Sequence, residues 1–473
     1  MLAVATLASL LVGIDVGPQT VSAQTVFTVD TTVDVDGVTA DGGCGSAASA
    51  CSLREAVAEA NAVSEAQVIV PAGSYVLSFG PLQLSARMTI TGAARQPGPH
   101  ATTIDGNGSD RVFEISSSNV TLEGLVITGG SVPKGDGGGV LVDRNIDGVT
   151  IRTSTITGNT AKNGGGVSTL GGLTVDRSTF TGNTATGSGG GIDVGNRATL
   201  FVDNSTFDGN TANDGGGIAS AGATTLNAVT VTSNESNSSS GGGVSRGGGS
   251  LDISGSILAG NIGSNAPRDC SGSPTFASQN IVESTPGCNP SGTPLLVADP
   301  QLGPLTDNGG ATQTRLPSEG SPAIDAVVEG VDYTPCVTDV DQRDVSRTPP
   351  PGVLCDIGSV EVAPLSVDVT LDAASAAGGP PCPDGVTCVG VGVSSVPVGD
   401  IPIEALVATS DPEDQVDATY ASRTYASRTY ASRTYASRTD LEASAVSDLT
   451  IGELYASRTY ASRTYASRTY ASR

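Results

Sequence analysis

Between Val140 and Asn261 the hydrophobic and polar positions fall into short alternating runs that return at a fixed interval. ATLFV (Ala198 to Val202) and STF (Ser205 to Phe207) are rich in Thr, Val, Ile and Phe and lack helical spacing, so they predict strands. The phrases TITGNTAKNGGGV, STFTGNTATGSGGGI, STFDGNTANDGGGI and VTVTSNESNSSSGGGV begin at Thr155, Ser178, Ser205 and Val229, and SILAGN opens a fifth unit at Ser256. Their asparagines, Asn159, Asn183, Asn210, Asn234 and Asn261, lie 24, 27, 24 and 27 residues apart. Glycine triplets starting at Gly137, Gly164, Gly189, Gly215 and Gly241 keep a similar interval. A period of this length denotes a solenoid.

Each unit is too poor in large apolar residues to bury a core alone. Stacked, the units place Ile156, Phe180, Phe207, Val231 and Ile257 in one inward ladder. Three short strands fit in about 25 residues, one coil of a parallel β-helix. The Asn and Gly markers suit corners, where the chain needs φ > 0. Equally spaced asparagines also stack and share amide hydrogen bonds from coil to coil, so Asn159, Asn183, Asn210, Asn234 and Asn261 are assigned to a structural ladder.

At the start, Ala3 to Val12 is apolar and Val21-Ser22-Ala23 is a small-residue cleavage site, so residues 1–23 predict a secretory signal, although no Lys or Arg precedes the run. Residues 24–65 contain CSLREAVAEANA, a helix with Ser52 as N-cap, Glu55 as capping-box partner and Leu53, Ala56, Val57 and Ala60 on one apolar face. This stretch resembles the CSLREA-type bacterial surface proteins, and the resemblance implies a cap on a right-handed parallel β-helix. An open solenoid end exposes strand edges that need such a cover. Residues 66–295 would form the helix, beginning with looser strand-like runs such as VIVPAGSYVL and VTLEGLVITG. They are similar to the pectin-lyase-like superfamily, which implies polysaccharide lyase or glycosidase action as one possibility beside inactive surface proteins.

Composition narrows the function. A net charge of -25, with two lysines (Lys134, Lys162) and one histidine (His100), excludes a basic nucleic-acid footprint on the body. The eight cysteines form four local couples, Cys44 with Cys51, Cys270 with Cys288, Cys336 with Cys355 and Cys382 with Cys388, which predict disulfides in an exported chain. No hydrophobic run in the mature chain is long enough to cross a membrane.

Lyase or hydrolase chemistry on sugars needs gathered carboxylates with a base or a calcium ion. Acidic residues recur at Asp143, Asp176, Asp203 and Asp252, and the first three are followed by Arg144, Arg177 and Asn204. Asp143, Arg144, Asp176, Arg177 and Asp203 are the candidate ligand-binding column, able to take a glycan or a weakly held calcium ion. The competing reading is a solvated ladder in which arginines offset like charge. No paired Asp-Asp or histidine-bearing catalytic segment accompanies them, so no catalytic residue and no obligatory cofactor are assigned.

Residues 296–363 carry ADPQLGPLTDNGGATQTRLPSEGSPAIDA, DVDQRDVSR and CDIGSVE in order. These phrases resemble the choice-of-anchor Q domain, which implies a C-terminal β cap, with Asp325 and Asp341 to Arg343 as a buried ion pair. Residues 364–418 read as a small β module or linker. Residues 419–473 repeat TYASR with eight Arg against four acidic residues, a flexible cationic tail or, by similarity, a pentapeptide-repeat coil. The chain as a whole is expected to be an all-β, secreted or cell-surface bacterial protein with an adhesive or structural role toward glycans or cell-surface components. A pectin-lyase-like enzyme and a self-associating fibre subunit are the alternatives.

Overall fold

The structure is a computed structural model. It describes residues 24–36, 44, 50–94, 98, 100–292, 295–326, 336, 338–347 and 354–362, together with the backbone of five short strands between 369 and 436. The signal segment, the Cys382 and Cys388 couple and most of the TYASR repeats lie outside the described residues. Residues 1–362 and 363–473 are two separate units.

The first unit is a parallel β-solenoid. One coil runs through strands Val149–Arg152, Thr155–Thr157, Thr160–Asn163 and Val167–Thr169 before Gly172–Asp176 begins the next. Stacked coils build sheets of eleven, ten, seven and eight strands respectively, almost every pairing parallel. The expected three strands per coil are therefore four. The extra one is often only two residues long, as in Thr184–Ala185, too short to show alternation in the sequence.

Register fixes the core. Ile156, Phe180, Phe207, Val231 and Leu258 stand opposite one another in the ten-stranded sheet and are fully buried. The Phe180 and Phe207 rings stack 4.7 Å apart, the separation that neighbouring strands impose. Each such side chain contributes about 2–3 kcal/mol by leaving water. Ile257, expected in this row, is instead one residue out of phase and faces outward.

The corners correct a second expectation. The asparagines do not adopt positive φ; the glycines before them do, Gly158, Gly182 and Gly209 at 63–65°. This leaves Asn159, Asn183, Asn210, Asn234 and Asn261 fully buried and pointing along the solenoid axis. Each Nδ2 donates to the next Oδ1 at 2.9–3.0 Å, and Asn261 donates to Asp269 at 2.9 Å. The glycine triplets answer to close approach. A Cβ on Gly190 would stand 2.3 Å from the Gly216 carbonyl oxygen, so only glycine lets the coils close at that corner.

A serine row, absent from the sequence reading, seals another corner. Ser178 Oγ accepts from the Ser154 amide and donates to the Asp176 carbonyl, and Ser205 repeats the pattern one coil on.

At the N-terminal end helix α1 (Leu53–Ala60) carries the capping box expected of Ser52 and Glu55 and buries Leu53, Ala56, Val57 and Ala60. Asn61 Nδ2 donates to the Gln83 carbonyl in the first strand of the eight-stranded sheet, and Cys44–Cys51 pins the approach. Arg54 is a fastener: it pairs with Asp34 at 2.8 and 3.0 Å and donates to the Gly80 and Pro81 carbonyls.

Residues 296–363 are the expected C-terminal β cap; beyond the strand Leu295–Leu296, their described residues form only isolated bridges. Those described residues lie along the outer face of the ten-stranded sheet. Gln342 Nε2 donates to Thr179 Oγ1 and Thr206 Oγ1 donates to Gln342 Oε1. The Ser359 amide donates to Thr230 Oγ1 and the Gly358 amide to the Gly255 carbonyl. Ile257 and Ile281 are buried here with Ala323, Cys355 and Ile357, which explains an outward isoleucine. Cys270–Cys288 and Cys336–Cys355 are bonded.

In the second unit Val369–Asp372 pairs antiparallel with Val389–Val393, which pairs with Thr434–Ala436, while Pro402–Ile403 pairs with Thr424–Tyr425. Two TYASR segments are thus strands that pair with residues of the preceding module, an arrangement unlike a pentapeptide coil.

Candidate functional site

The outer face of the eleven-stranded sheet presents exposed and half-buried residues at its outward positions. Its strands alternate by the pleat. In Thr199–Asp203, Leu200 and Val202 are buried while Thr199 and Phe201 are exposed and Asp203 is half-buried. Two outward columns result. One is Glu123, Arg152, Asp176, Asp203 and Asn227; the other is Thr121, Thr150, Thr174, Phe201, Thr225 and Asp252.

The first column is internally paired. Arg152 meets Glu123 at 2.8 Å, Arg177 meets Asp176 at 3.0 Å, and Asn227 donates to Asp203 at 2.9 Å. Burial raises the Asp203 carboxyl above its ordinary value and nearby Asp176 adds to the rise, while the Asn227 amide opposes it.

The five expected ligand-binding residues therefore separate. Asp176, Arg177 and Asp203 share this edge. Asp143 and Arg144 follow Val140–Val142 of the eight-stranded sheet, on a different side of the coil. The spacing explains it: Asp143 precedes Asp176 by 33 residues, more than one coil. Asp252 belongs to the second column. Arg177 takes φ 47° at the corner and reaches Asp344 of residues 299–362, so much of its charge is committed to holding that segment.

Phe201 was missed by the sequence reading. It is 51 % exposed, and Thr174 and Thr225 flank it in register. The available signal was its phase: a large aromatic at a polar position of TLFVD. Toward the N-terminal end of the same face lies a polar hollow of about 230 Å³ lined by Gln24, Glu65, Arg87, Thr89, Asn119 and Thr121.

A second acidic group lies on the eight-stranded sheet. Burial pushes the Asp193 carboxyl up to about 6, with Asp136 and Asp214 adding to the effect and the Ser188 hydroxyl, donating at 2.5 Å, opposing it. Asn163 links the two ends, donating to Asp136 at 2.9 Å and accepting from the Ser188 amide at 3.1 Å. Asp193 can thus hold a proton up to about pH 6. Among the described residues no group of three or more His, Cys, Asp or Glu side chains is arranged to hold a metal ion. His100 belongs to neither acidic group.

Residues 177–195 match the model of the Chlamydia polymorphic membrane protein repeat. Among solved structures, the chain is similar to that of pectate lyase Pel9A at 13 % identity and a TM-score of 0.37, over 72 % of this chain and 97 % of that one. No curated protein sequence matches it.

Proposed function

We propose that this is a secreted or cell-surface, non-enzymatic β-solenoid protein that binds glycans through the open outer face of its eleven-stranded sheet. The observation that carries the reading is Phe201, an exposed ring set between threonine hydroxyls and beside Asp203. Such a ring stacks on the apolar face of a sugar, while neighbouring polar groups take its hydroxyls and fix its orientation. The matched repeat supports a surface location, since the family it describes is one of membrane proteins. Three disulfides among the described residues suit an oxidising exterior. No helix of the described residues is long and apolar enough to cross a membrane.

A glycan array probed with the parent and with Phe201→Ala tests this. The parent should bind a defined set of glycans and the variant about tenfold more weakly, the upper end of what one aromatic contact supplies, with the melting temperature unchanged. Equal binding by both proteins, or no glycan bound by the parent, removes the proposal.

The protonatable Asp193 beside Asp136 and Asp214 favours a second reading, cleavage of acidic polysaccharides by general acid catalysis. Incubation with polygalacturonate and alginate, following reducing ends and unsaturated products, decides between them. Turnover lost in Asp193→Asn would favour the enzyme.

A further inference from the structure

The described stretches 338–347 and 354–362 are held together by buried ion pairs. Arg347, 1 % exposed, donates to the Asp356 carbonyl at 3.1 Å, to the Gly358 carbonyl at 2.5 Å and to the Glu361 carboxylate at 3.1 Å. Arg343 clasps Asp341 at 2.7 and 2.9 Å and also reaches the Glu361 carbonyl. The carboxylates in turn bind backbone: Glu361 Oε2 accepts from the Asp356 amide, Asp341 Oδ2 from the Glu361 amide, and Asp356 from the amides of Asp325 and Val362.

The same short stretches grip the solenoid. Gln342 sits between Asp341 and Arg343, and Gly358 and Ser359 sit between Asp356 and Glu361. These three make the bonds to Thr179, Thr206, Thr230 and Gly255. Loosening the ion cluster therefore loosens these contacts, while Arg177–Asp344 and Arg315–Asp208 tether the segment elsewhere.

The cluster is also unbalanced. Three buried carboxylates, Asp341, Asp356 and Glu361, face two guanidinium groups, and exposed Asp325 lies beside Asp356. The solenoid meets this part with Thr230, Gly255 and Ile257, none of which titrates. Arg343 pairs with Asp341 and Arg347 with Glu361, so Asp356 has no ion-pair partner of its own and its charge bears on neighbouring Glu361.

We propose that the stretches 338–347 and 354–362 form a pH-operated latch, seated on the ten-stranded sheet below neutral pH and loosened as their buried cluster takes on its last negative charge.

The sign follows from linkage. Burial, with Asp356 second, raises the Glu361 carboxyl from 4.5 to about 7, against the opposing pull of Arg347. The seated state therefore holds a proton that the released state gives up. Stability is fully present below about 4.5 and falls as pH rises through 7. From pH 6 to pH 8 the opening equilibrium grows about tenfold. In the solenoid, Asp193 and Asp269 lie at about 6, and over the same window each changes its opening by only about twofold.

Hydrogen exchange on the whole chain, corrected for intrinsic rates, tests the latch. The amides of Gln342, Gly358 and Ser359 should lose protection about tenfold between pH 6 and pH 8, while those of Phe180 and Phe207 change far less. Glu361→Gln removes the titrating group and keeps an acceptor for the Asp356 amide, so its latch protection should be equal at both pH values. Should that variant not fold, a pH series on the parent still locates the transition, expected near 7. Latch amides indifferent to pH, undiminished pH dependence in Glu361→Gln, or latch and solenoid opening by the same factor would each overturn the proposal.

Discussion

The coils between Val140 and Asn261 and the segment laid beside them are folded by different means. In the coils the backbone does most of the bonding, strand to parallel strand, and the inward rows repeat apolar side chains from coil to coil. In the described residues of 299–362 the backbone forms isolated bridges and the side chains carry the structure, each in a role found once. Stability in the coils is a sum of nearly equal neighbour terms, so damage spreads along the stack. In the latch it rests on a few unlike contacts, so damage there is expected to be severe but contained.

Phe207→Asp strikes the coils hardest. It removes the ring stacked on Phe180 and buries an unpaired carboxylate, costing several kcal/mol. Urea unfolding should show the coils on both sides failing with it; a midpoint like the parent's would mean Phe207 is not a core residue.

Asn183→Ala is next. It removes the acceptor for the Asn159 amide and Nδ2, and the donor to the Ile156 carbonyl and to Asn210. With all of these buried the loss should be about 2–4 kcal/mol, more than one ordinary hydrogen bond. A loss below about 1 kcal/mol in the same titration would show that water repairs the row.

Gly358→Ala sharpens the contrast from the other side. Its Cβ would stand 2.7 Å from Ile257 Cδ1 and 2.9 Å from Thr230 Oγ1, at φ 103°. The cost, about 1–3 kcal/mol, should fall on the latch alone. Exchange protection of Gln342 and Ser359 should drop while the solenoid melts as before; parallel losses would make the two a single cooperative unit.

Much of this contrast was legible in the chain. Alternation and the 24- or 27-residue interval gave the solenoid, and counting three residues back from each asparagine reaches Ile156, Phe180, Phe207, Val231 and Leu258. Ile257, expected in the last place, stands four residues before Asn261 and so breaks that count. Its outward position makes sense only through Ala323 and Ile357, which no local pattern could supply. The same limit applies to the candidate site. Asp176 and Asp203 align because one coil separates them, whereas Asp143 recurs at the wrong interval and left the column. Phe201 was hidden because its importance lies in being exposed, and alternation alone does not tell inside from outside.

The asparagine row has an arrow. Every amide from Asn159 to Asn234 both gives and receives, so a further unit could be spliced between any two of them and meet the same hydrogen bonds on each side. Asp269 ends the series: its carboxylate receives from Asn261 and from the Ser284 amide and, once ionised, has nothing to pass on. Evolution can therefore lengthen this rod from within, by duplicating a middle unit, but the carboxylate acts as a full stop, and adding units beyond it would require rewriting that one residue first.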